Sequence, residues 1–124
     1  MADNDHGVVA LVDDDAAVRD SLKFLIELAG YGVGTYESAM AFLEDRAARP
    51  ACLILDQHMP QMTGLELAAR LRAEDRGLPI LLVTGAPSPA IVARAAQLGI
   101  VKVLEKPPIE DDLMNFIEGS LGKR

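Results

Sequence analysis

The chain contains five short, mostly apolar runs, separated by longer segments in which apolar residues recur every three or four positions. The runs are residues 8–12, 33–36, 51–55, 79–83 and 101–104. Runs of this length that alternate with helical segments are typical of buried parallel strands, because each parallel pair needs a long crossover connection. The pattern predicts an α/β fold with one five-stranded parallel sheet, doubly wound by five helices in (βα)5 order.

Four of the runs lead to side chains that carry a charge or a hydroxyl group. Asp13 and Asp14 follow the first run, Asp56 the third and Thr84 the fourth, and Lys106 lies just beyond the fifth. The carboxyl ends of parallel strands lie at one edge of the sheet, where ligands of open α/β sheets bind. These side chains are therefore expected to share one shallow crevice, which is the outline of a metal and phosphate site.

Capping residues mark the helix boundaries. Asp15 can cap the first helix, Ser38 the second and Ser88 the fourth, where Pro89 takes the first helical position. The second helix is expected to run out through residues 47 and 48. With Asp15 interpreted as a cap, the neighbouring pair of aspartates remains for the chemistry of the site.

Length and charge limit the class of protein. The 124 residues, 50% of them hydrophobic, suit one domain, which we take as residues 1–124. No apolar segment reaches transmembrane length and residues 1–7 are polar, so a soluble, cytoplasmic protein without membrane contact is expected. The net charge of −7 argues against direct nucleic-acid binding. Cys52 lies inside the third run and is expected to be a small buried hydrophobe.

The turn after the first strand bears on the class of ligand. Its sequence, Asp-Asp-Asp-Ala-Ala, contains no glycine-rich or Ser/Thr-rich phosphate loop. Three carboxylates would repel a nucleotide or flavin phosphate unless a cation intervened. The sequence therefore argues against a flavodoxin-like cofactor.

Four segments, each at a strand end, together resemble the receiver domain of two-component response regulators, and the likeness covers nearly the whole chain. They are residues 11–15 (Leu-Val-Asp-Asp-Asp), 55–64 (Leu-Asp-Gln-His-Met-Pro with Met62 and Gly64), 82–86 (Leu-Val-Thr-Gly-Ala) and 105–107 (Glu-Lys-Pro). The second and fourth are most similar to receivers of the nitrogen-fixation regulator type, which usually carry a DNA-binding output domain. The resemblance implies the flavodoxin-like receiver topology.

The resemblance implies that Asp56 is the phosphoryl acceptor and that the cofactor is Mg2+. Asp14 and Asp56 would ligate the ion directly, Asp13 through water, and His58 through its backbone carbonyl. Three carboxylates gathered in one crevice raise one another's pKa, and a divalent cation relieves that repulsion.

Thr84 and Lys106 complete the site that the resemblance implies. Phosphoryl transfer depends mainly on positioning and on stabilising charge on the equatorial oxygens. Lys106 would bind one oxygen, and the Thr84 hydroxyl with a backbone N–H near Gln57 would bind another. Lys106 would also tether the carboxylates before phosphorylation, and its bond to Pro107 resembles the cis peptide of the family.

The expected function is a phosphorylation-activated signalling domain, not a turnover enzyme. Asp56 would take its phosphoryl group from a sensor histidine kinase or a histidine phosphotransfer protein, and the domain would then signal to a downstream protein target. By analogy, phosphorylation could drive formation of a homodimer. Two alternatives stay open: a pseudo-receiver that docks partners without phosphorylation, and a magnesium-dependent phosphatase of the haloacid-dehalogenase kind that uses Asp13 and Asp15.

The chain departs from many receivers in the fifth strand. Val103 stands where they have a Tyr or Phe that turns inward on activation, so the aromatic half of the usual switch is missing or replaced. By resemblance, the predicted output face is the surface formed by the fourth helix, fifth strand and fifth helix, with Arg94, Gln97, Lys102 and Val103 as candidates. His58 and Ala86 occupy positions that influence attack of water on the acyl phosphate, and a long-lived phosphorylated state is a hypothesis.

Overall fold

The computed structural model describes residues 7–74 and 77–122, in which five strands alternate with five helices. The strands are β1 (Val8–Val12), β2 (Gly32–Tyr36), β3 (Cys52–Asp56), β4 (Ile80–Thr84) and β5 (Lys102–Glu105). The helices are α1 (Ala16–Leu28), α2 (Ala39–Glu44), α3 (Gly64–Arg72), α4 (Pro89–Gln97) and α5 (Glu110–Leu121).

All five strands run parallel in one sheet with the order β2-β1-β3-β4-β5, which confirms the predicted fold class. The chain passes outward from β1 to β2 and then returns beyond β1 to β3, so the winding reverses between β1 and β3. The crevice of an open α/β sheet lies at such a reversal, outside the carboxyl ends of the strands.

Each face of the sheet has its own apolar core, because alternate residues of the central strands point to opposite sides. The cluster beneath α2, α3 and α4 includes Val12, Phe42, Leu53, Leu55, Leu67, Leu82 and Ala95. The cluster beneath α1 and α5 includes Leu11, Leu22, Ile26, Ile54, Leu81, Leu113 and Ile117. Cys52 is buried in the second cluster, as expected.

Two strands extend one residue beyond the apolar runs of the sequence and so include a polar residue each, Asp56 in β3 and Thr84 in β4. Asp56 pairs with Val83, and Thr84 pairs with Glu105 of β5. The backbones of Asp56 and Thr84 are therefore held by the sheet itself.

The second helix is shorter than predicted, because α2 ends at Glu44 and does not reach residues 47 and 48. Asp45 leaves the helical conformation at φ −83° and ψ 83°. Its carboxylate accepts hydrogen bonds from the Ala47 N–H at 3.3 Å and from the Tyr36 hydroxyl at 2.7 Å. An aspartate that bonds the backbone two residues later forms a turn in competition with the helix.

The three predicted N-caps are confirmed. The Asp15 carboxylate accepts hydrogen bonds from the Ala17 and Val18 N–H groups. The hydroxyls of Ser38 and Ser88 accept hydrogen bonds from the third residue after each. Among the described residues, no helix has both the length and the apolar character needed to cross a membrane.

Candidate functional site

Backbone hydrogen bonds continue past the strand ends and hold the polar residues of the carboxyl edge. The Asp13 N–H donates to the Tyr36 carbonyl at 3.1 Å, and the Lys106 N–H donates to the Thr84 carbonyl at 2.9 Å. Asp13, Asp56 and Thr84 are buried, with exposed fractions of 2%, 3% and 0%. These residues lie on adjacent strand ends, as the sequence predicted.

The Lys106 side chain joins two of the carboxylates. Its Nζ lies 3.0 Å from Asp13 Oδ2 and 3.0 Å from Asp56 Oδ1. The Lys106 side chain is 26% exposed, whereas the side chains of Asp13 and Asp56 are 4% and 2% exposed. The structure therefore contains the ammonium tether that was predicted, and the Lys106–Pro107 bond is cis as the resemblance implied.

The pKa values reflect burial and this charge pairing. Burial raises the pKa of Asp56; the hydrogen bond from Lys106 opposes the shift, and the negative charge of Asp13 adds to it. Burial by itself lowers the pKa of Lys106, but its hydrogen bonds to Asp13 and Asp56 outweigh burial, and the pKa is raised. Lys106 is therefore an ammonium at neutral pH, and the Asp56 carboxylate is stabilised by any further positive charge.

Asp13, Asp14 and Asp56 form a candidate metal site. One carboxylate oxygen from each lies within 4.8 Å of the others, with Asp14 exposed and the other two buried. Both oxygens of Asp13 already accept hydrogen bonds, from the Asp15 N–H at 2.9 Å and from Lys106 Nζ at 3.0 Å. That arrangement suits contact between Asp13 and a metal through water. A hard cation such as Mg2+ takes carboxylate oxygens and keeps several waters, so these residues fit it.

The two oxygens of Asp56 have different surroundings. Oδ1 lies beside Lys106 Nζ and accepts a hydrogen bond from the His58 N–H at 3.3 Å. Oδ2 accepts no hydrogen bond from the residues that the structure describes. Every fully buried side-chain polar atom in those ranges has a partner, so Oδ2 must be reachable from solvent. One oxygen of Asp56 is thus held by two donors, while the other has no hydrogen-bond partner among the described residues.

The N–H group that faces the acceptor belongs to His58, not to Gln57 itself. The Gln57 N–H is used in the sheet, where it donates to the Val83 carbonyl at 3.0 Å. Thr84 Oγ1 accepts a hydrogen bond from the Ala86 N–H at 3.1 Å. The Thr84 hydroxyl proton has no acceptor among the described residues.

Sequence reasoning missed two residues that support the site. Arg19 Nη1 donates to the Asp13 carbonyl at 2.7 Å and so holds the first loop of the site. Gln57 accepts a hydrogen bond from the Leu65 N–H through its side chain at 2.8 Å. The position of Arg19 in the first helix indicated little about the site, since an arginine on an exposed helical face is usually solvated. Gln57 lies directly after the acceptor, and that adjacency was the one available signal.

The predicted output face is only partly open. Arg94, Gln97 and Lys102 are exposed, and Arg94 Nη1 donates to Gln97 Oε1 at 3.1 Å. Val103 is half-buried and packs against the core, so it is a poor contact residue for a partner. The His58 side chain is exposed.

The phosphatase alternative conflicts with the position of Asp15. That chemistry requires Asp15 to act beside Asp13, but the Asp15 carboxylate is exposed and bonds two N–H groups of α1. Asp56, rather than Asp15, lies beside Asp13 and shares Lys106 with it.

Known proteins with similar sequences and structures support the family resemblance. Residues 9–118 match the family model of the response regulator receiver domain. The chain is 40% identical over 119 residues to the transcriptional regulatory protein FixJ of Bradyrhizobium diazoefficiens, covering 93% of this chain and 57% of that protein. The chain thus spans little more than half the length of this curated relative.

Solved structures agree. Full-length FixJ from B. japonicum superposes with a TM-score of 0.81 at 40% identity, covering 92% of this chain and 57% of that one. The chemotaxis protein CheY4 of Vibrio cholerae gives a TM-score of 0.83 at 29% identity, covering 93% of this chain and 98% of that one. These comparisons do not support the docking-module alternative. The chain therefore belongs to the response regulator receiver domain family of two-component systems.

Proposed function

We propose that Asp56 is the phosphoryl acceptor of this receiver domain and that Asp13, Asp14, Thr84 and Lys106 serve that reaction. One observation carries the proposal: a single ammonium lies 3.0 Å from both Asp13 and Asp56 at the carboxyl edge of the sheet. Two buried carboxylates that share one ammonium are costly for stability alone, because desolvation offsets much of the attraction. Such a cluster is better suited to binding a charged reactant.

The metal in this proposal is Mg2+, held by Asp14 and Asp56 directly, by Asp13 through water and by the His58 backbone carbonyl. When bound, it would neutralise carboxylate charge and polarise a phosphoryl oxygen. The cluster of three carboxylate oxygens within 4.8 Å supports this ligand set.

In the transfer step, Asp56 Oδ2 attacks the phosphorus atom of the donor. A bond forms between phosphorus and Oδ2, the bond from phosphorus to the donor breaks, and the donor leaves with the electron pair. The Lys106 ammonium, the Thr84 hydroxyl and the His58 N–H donate hydrogen bonds to the equatorial oxygens, where charge is concentrated. Charge stabilisation at fixed donors is the main contribution that a protein makes to this chemistry.

The donor in this proposal is a phosphohistidine of a sensor histidine kinase or of a histidine phosphotransfer protein. The proposed location of the reaction is the cytoplasm. The domain, which we take as residues 1–124, assists its own phosphorylation and does not turn over a substrate. In this proposal the phosphorylated domain signals by contacting a downstream protein, and it can also form a homodimer on phosphorylation. The net charge of −7 supports a protein target rather than direct DNA contact.

The test is the intact mass of the protein after incubation with Mg2+ and a small acyl phosphate, with Asp56→Asn treated in parallel. We expect addition of one phosphoryl group to the parent and none to the variant. Addition to neither protein, with the fold confirmed by circular dichroism and Mg2+ binding by calorimetry, would refute the proposal. Equal addition to both would assign the acceptor to another residue.

A further inference from the structure

Gln57, the residue directly after Asp56, uses three of its polar groups to connect separate parts of the site. Its N–H donates to the Val83 carbonyl at 3.0 Å, and its carbonyl accepts from the Gly64 N–H at 3.1 Å. Its side-chain Oε1 accepts from the Leu65 N–H at 2.8 Å. Only the oxygen of an amide can accept from an N–H, so the orientation of this side chain is settled by its partner.

These hydrogen bonds complete the N-terminus of α3. The first N–H groups of a helix have no partner within the helix. Gln57 takes those of Gly64 and Leu65, while Thr63 Oγ1 accepts from the next one, that of Glu66, at 3.1 Å. Thr63 is the local cap, six residues along the chain from Gln57. Gln57 is therefore a second cap, which lies directly after the acceptor strand and outside the helix.

The start of α3 also lies against the acceptor residue itself. A Cβ atom added at Gly64 would be 2.5 Å from the Asp56 carbonyl oxygen. The loop of residues 58–63 is consequently closed at both ends by Gln57, which precedes it and bonds the helix that follows it. This loop carries the His58 N–H, which lies 3.3 Å from Asp56 Oδ1.

We propose that Gln57 is a positioning residue for phosphoryl transfer, whose side chain holds loop 58–63 so that the His58 backbone faces Asp56 and the metal. This inference rests on the proposed function of Asp56. Groups that orient ligands through a second layer of hydrogen bonds typically alter metal affinity or activity by about 10-fold to 100-fold when they are removed. Gln57 is 8% exposed, so water replaces its oxygen poorly and the Leu65 N–H would be left without a partner.

The test compares Gln57→Leu with Thr63→Ala. Both variants remove one side-chain cap from the same helix, but only Gln57 is joined to the acceptor strand. The chain has no tryptophan, so Mg2+ affinity is measured by titration calorimetry and phosphorylation by intact mass against time with an acyl phosphate. Thermal midpoints measure the loss of stability in each variant.

We expect Gln57→Leu to bind Mg2+ with roughly 10-fold lower affinity than the parent and to be phosphorylated roughly 10-fold more slowly. Thr63→Ala should stay within about twofold of the parent in both measurements at a similar loss of thermal stability. Equal losses of Mg2+ affinity and phosphorylation rate in the two variants would mean that Gln57 acts only as a helix cap. Values for Gln57→Leu equal to those of the parent would overturn the inference. If Gln57→Leu does not fold, Gln57→Asn, which withdraws the acceptor by one methylene, is compared in the same way. Failure of the parent to be phosphorylated would refute the function of Asp56, whereas the Mg2+ titration still tests Gln57.

Discussion

Replacing Lys106 with Met should destabilise the protein in the absence of divalent cations, and more at neutral than at acidic pH. The side chain keeps its approximate shape, but the ammonium between Asp13 and Asp56 is lost. Two carboxylates, 4% and 2% exposed, would then face each other without a counter-charge. Mg2+ should restore part of the lost stability, because it supplies positive charge to the same oxygens.

The magnitude follows from the geometry. At an effective dielectric constant of about 20, opposite charges separated by the observed 3.0 Å attract by about 5.5 kcal/mol before desolvation is counted. Breaking a buried ion pair by removing one partner costs about 3–5 kcal/mol. Lys106 is 26% exposed, and water can take part of its place, so we expect about 2–3 kcal/mol. For a domain of this size that lowers Tm by roughly 10 °C.

The pH dependence has a definite sign. The pKa of Asp56 is raised from 3.8, chiefly by burial, so the folded protein binds this proton more tightly than the unfolded chain does. Stability from this group is therefore greatest below the unfolded pKa of 3.8 and is lost as pH rises through the higher folded pKa. Without Lys106 the pKa of Asp56 rises further, and the deficit of the variant should shrink as pH falls towards the unfolded value.

Thermal unfolding followed by circular dichroism, with a chelator present, measures this deficit at neutral and acidic pH. Lys102→Met is the matched control, since Lys102 is an exposed lysine at the start of β5, the strand that Lys106 follows, and makes no ion pair with the described residues. An exposed substitution should change stability by no more than about 0.5 kcal/mol. If Lys106→Met is as stable as Lys102→Met at neutral pH, the reasoning about the buried charge cluster is refuted.

Four further predictions concern steric fit and burial. Gly64→Ala should destabilise the fold by about 2 kcal/mol or more in denaturant unfolding, because its Cβ would lie 2.5 Å from the Asp56 carbonyl oxygen. Gly119→Ala, in a helix with nothing within 4 Å of the new Cβ, should be neutral or stabilise by up to about 1 kcal/mol. Burial, with a hydrogen bond to a carboxylate, raises the pKa of Tyr36 to about 12, so the tyrosinate absorbance that Tyr36→Phe removes should titrate near that pH. Burial raises the pKa of the Cys52 thiol to about 12, and alkylation should be on the order of 100-fold slower in native than in unfolded protein.

Each of these has a clear contrary result. Equal stabilities of the two glycine variants would mean that α3 can move away from β3 without cost. A tyrosinate midpoint near 10 while the circular dichroism is still native would contradict the partial burial of Tyr36 and its hydrogen bond to Asp45. Native and unfolded protein that react at similar rates would contradict the burial of Cys52.

Much of the fold could be predicted because its signals are local. Periodicity of apolar residues separated strands from helices, and Asp15, Ser38 and Ser88 were recognisable caps because each bonds residues two or three positions away. The end of α2 could not be predicted in this way. Asp45 is held partly by the Tyr36 hydroxyl, nine positions earlier on a neighbouring strand, and that contact exists only after the strand and helix have packed.

The sequence by itself determined which polar residues lie at the carboxyl edge of the sheet. The carboxylates, the hydroxyl and the ammonium each follow an apolar run, and parallel strands bring the ends of these runs to one edge. Only the tertiary structure decided the distances. Lys106 and Asp13 are 93 positions apart, and their 3.0 Å contact depends on β1, β3, β4 and β5 lying in register. The hydrogen bond of the Gln57 side chain could not be predicted either, because it joins the residue after β3 to the start of α3 and forms only when both elements are in place. Periodic patterns determine elements, whereas contacts between elements depend on how their side chains pack together.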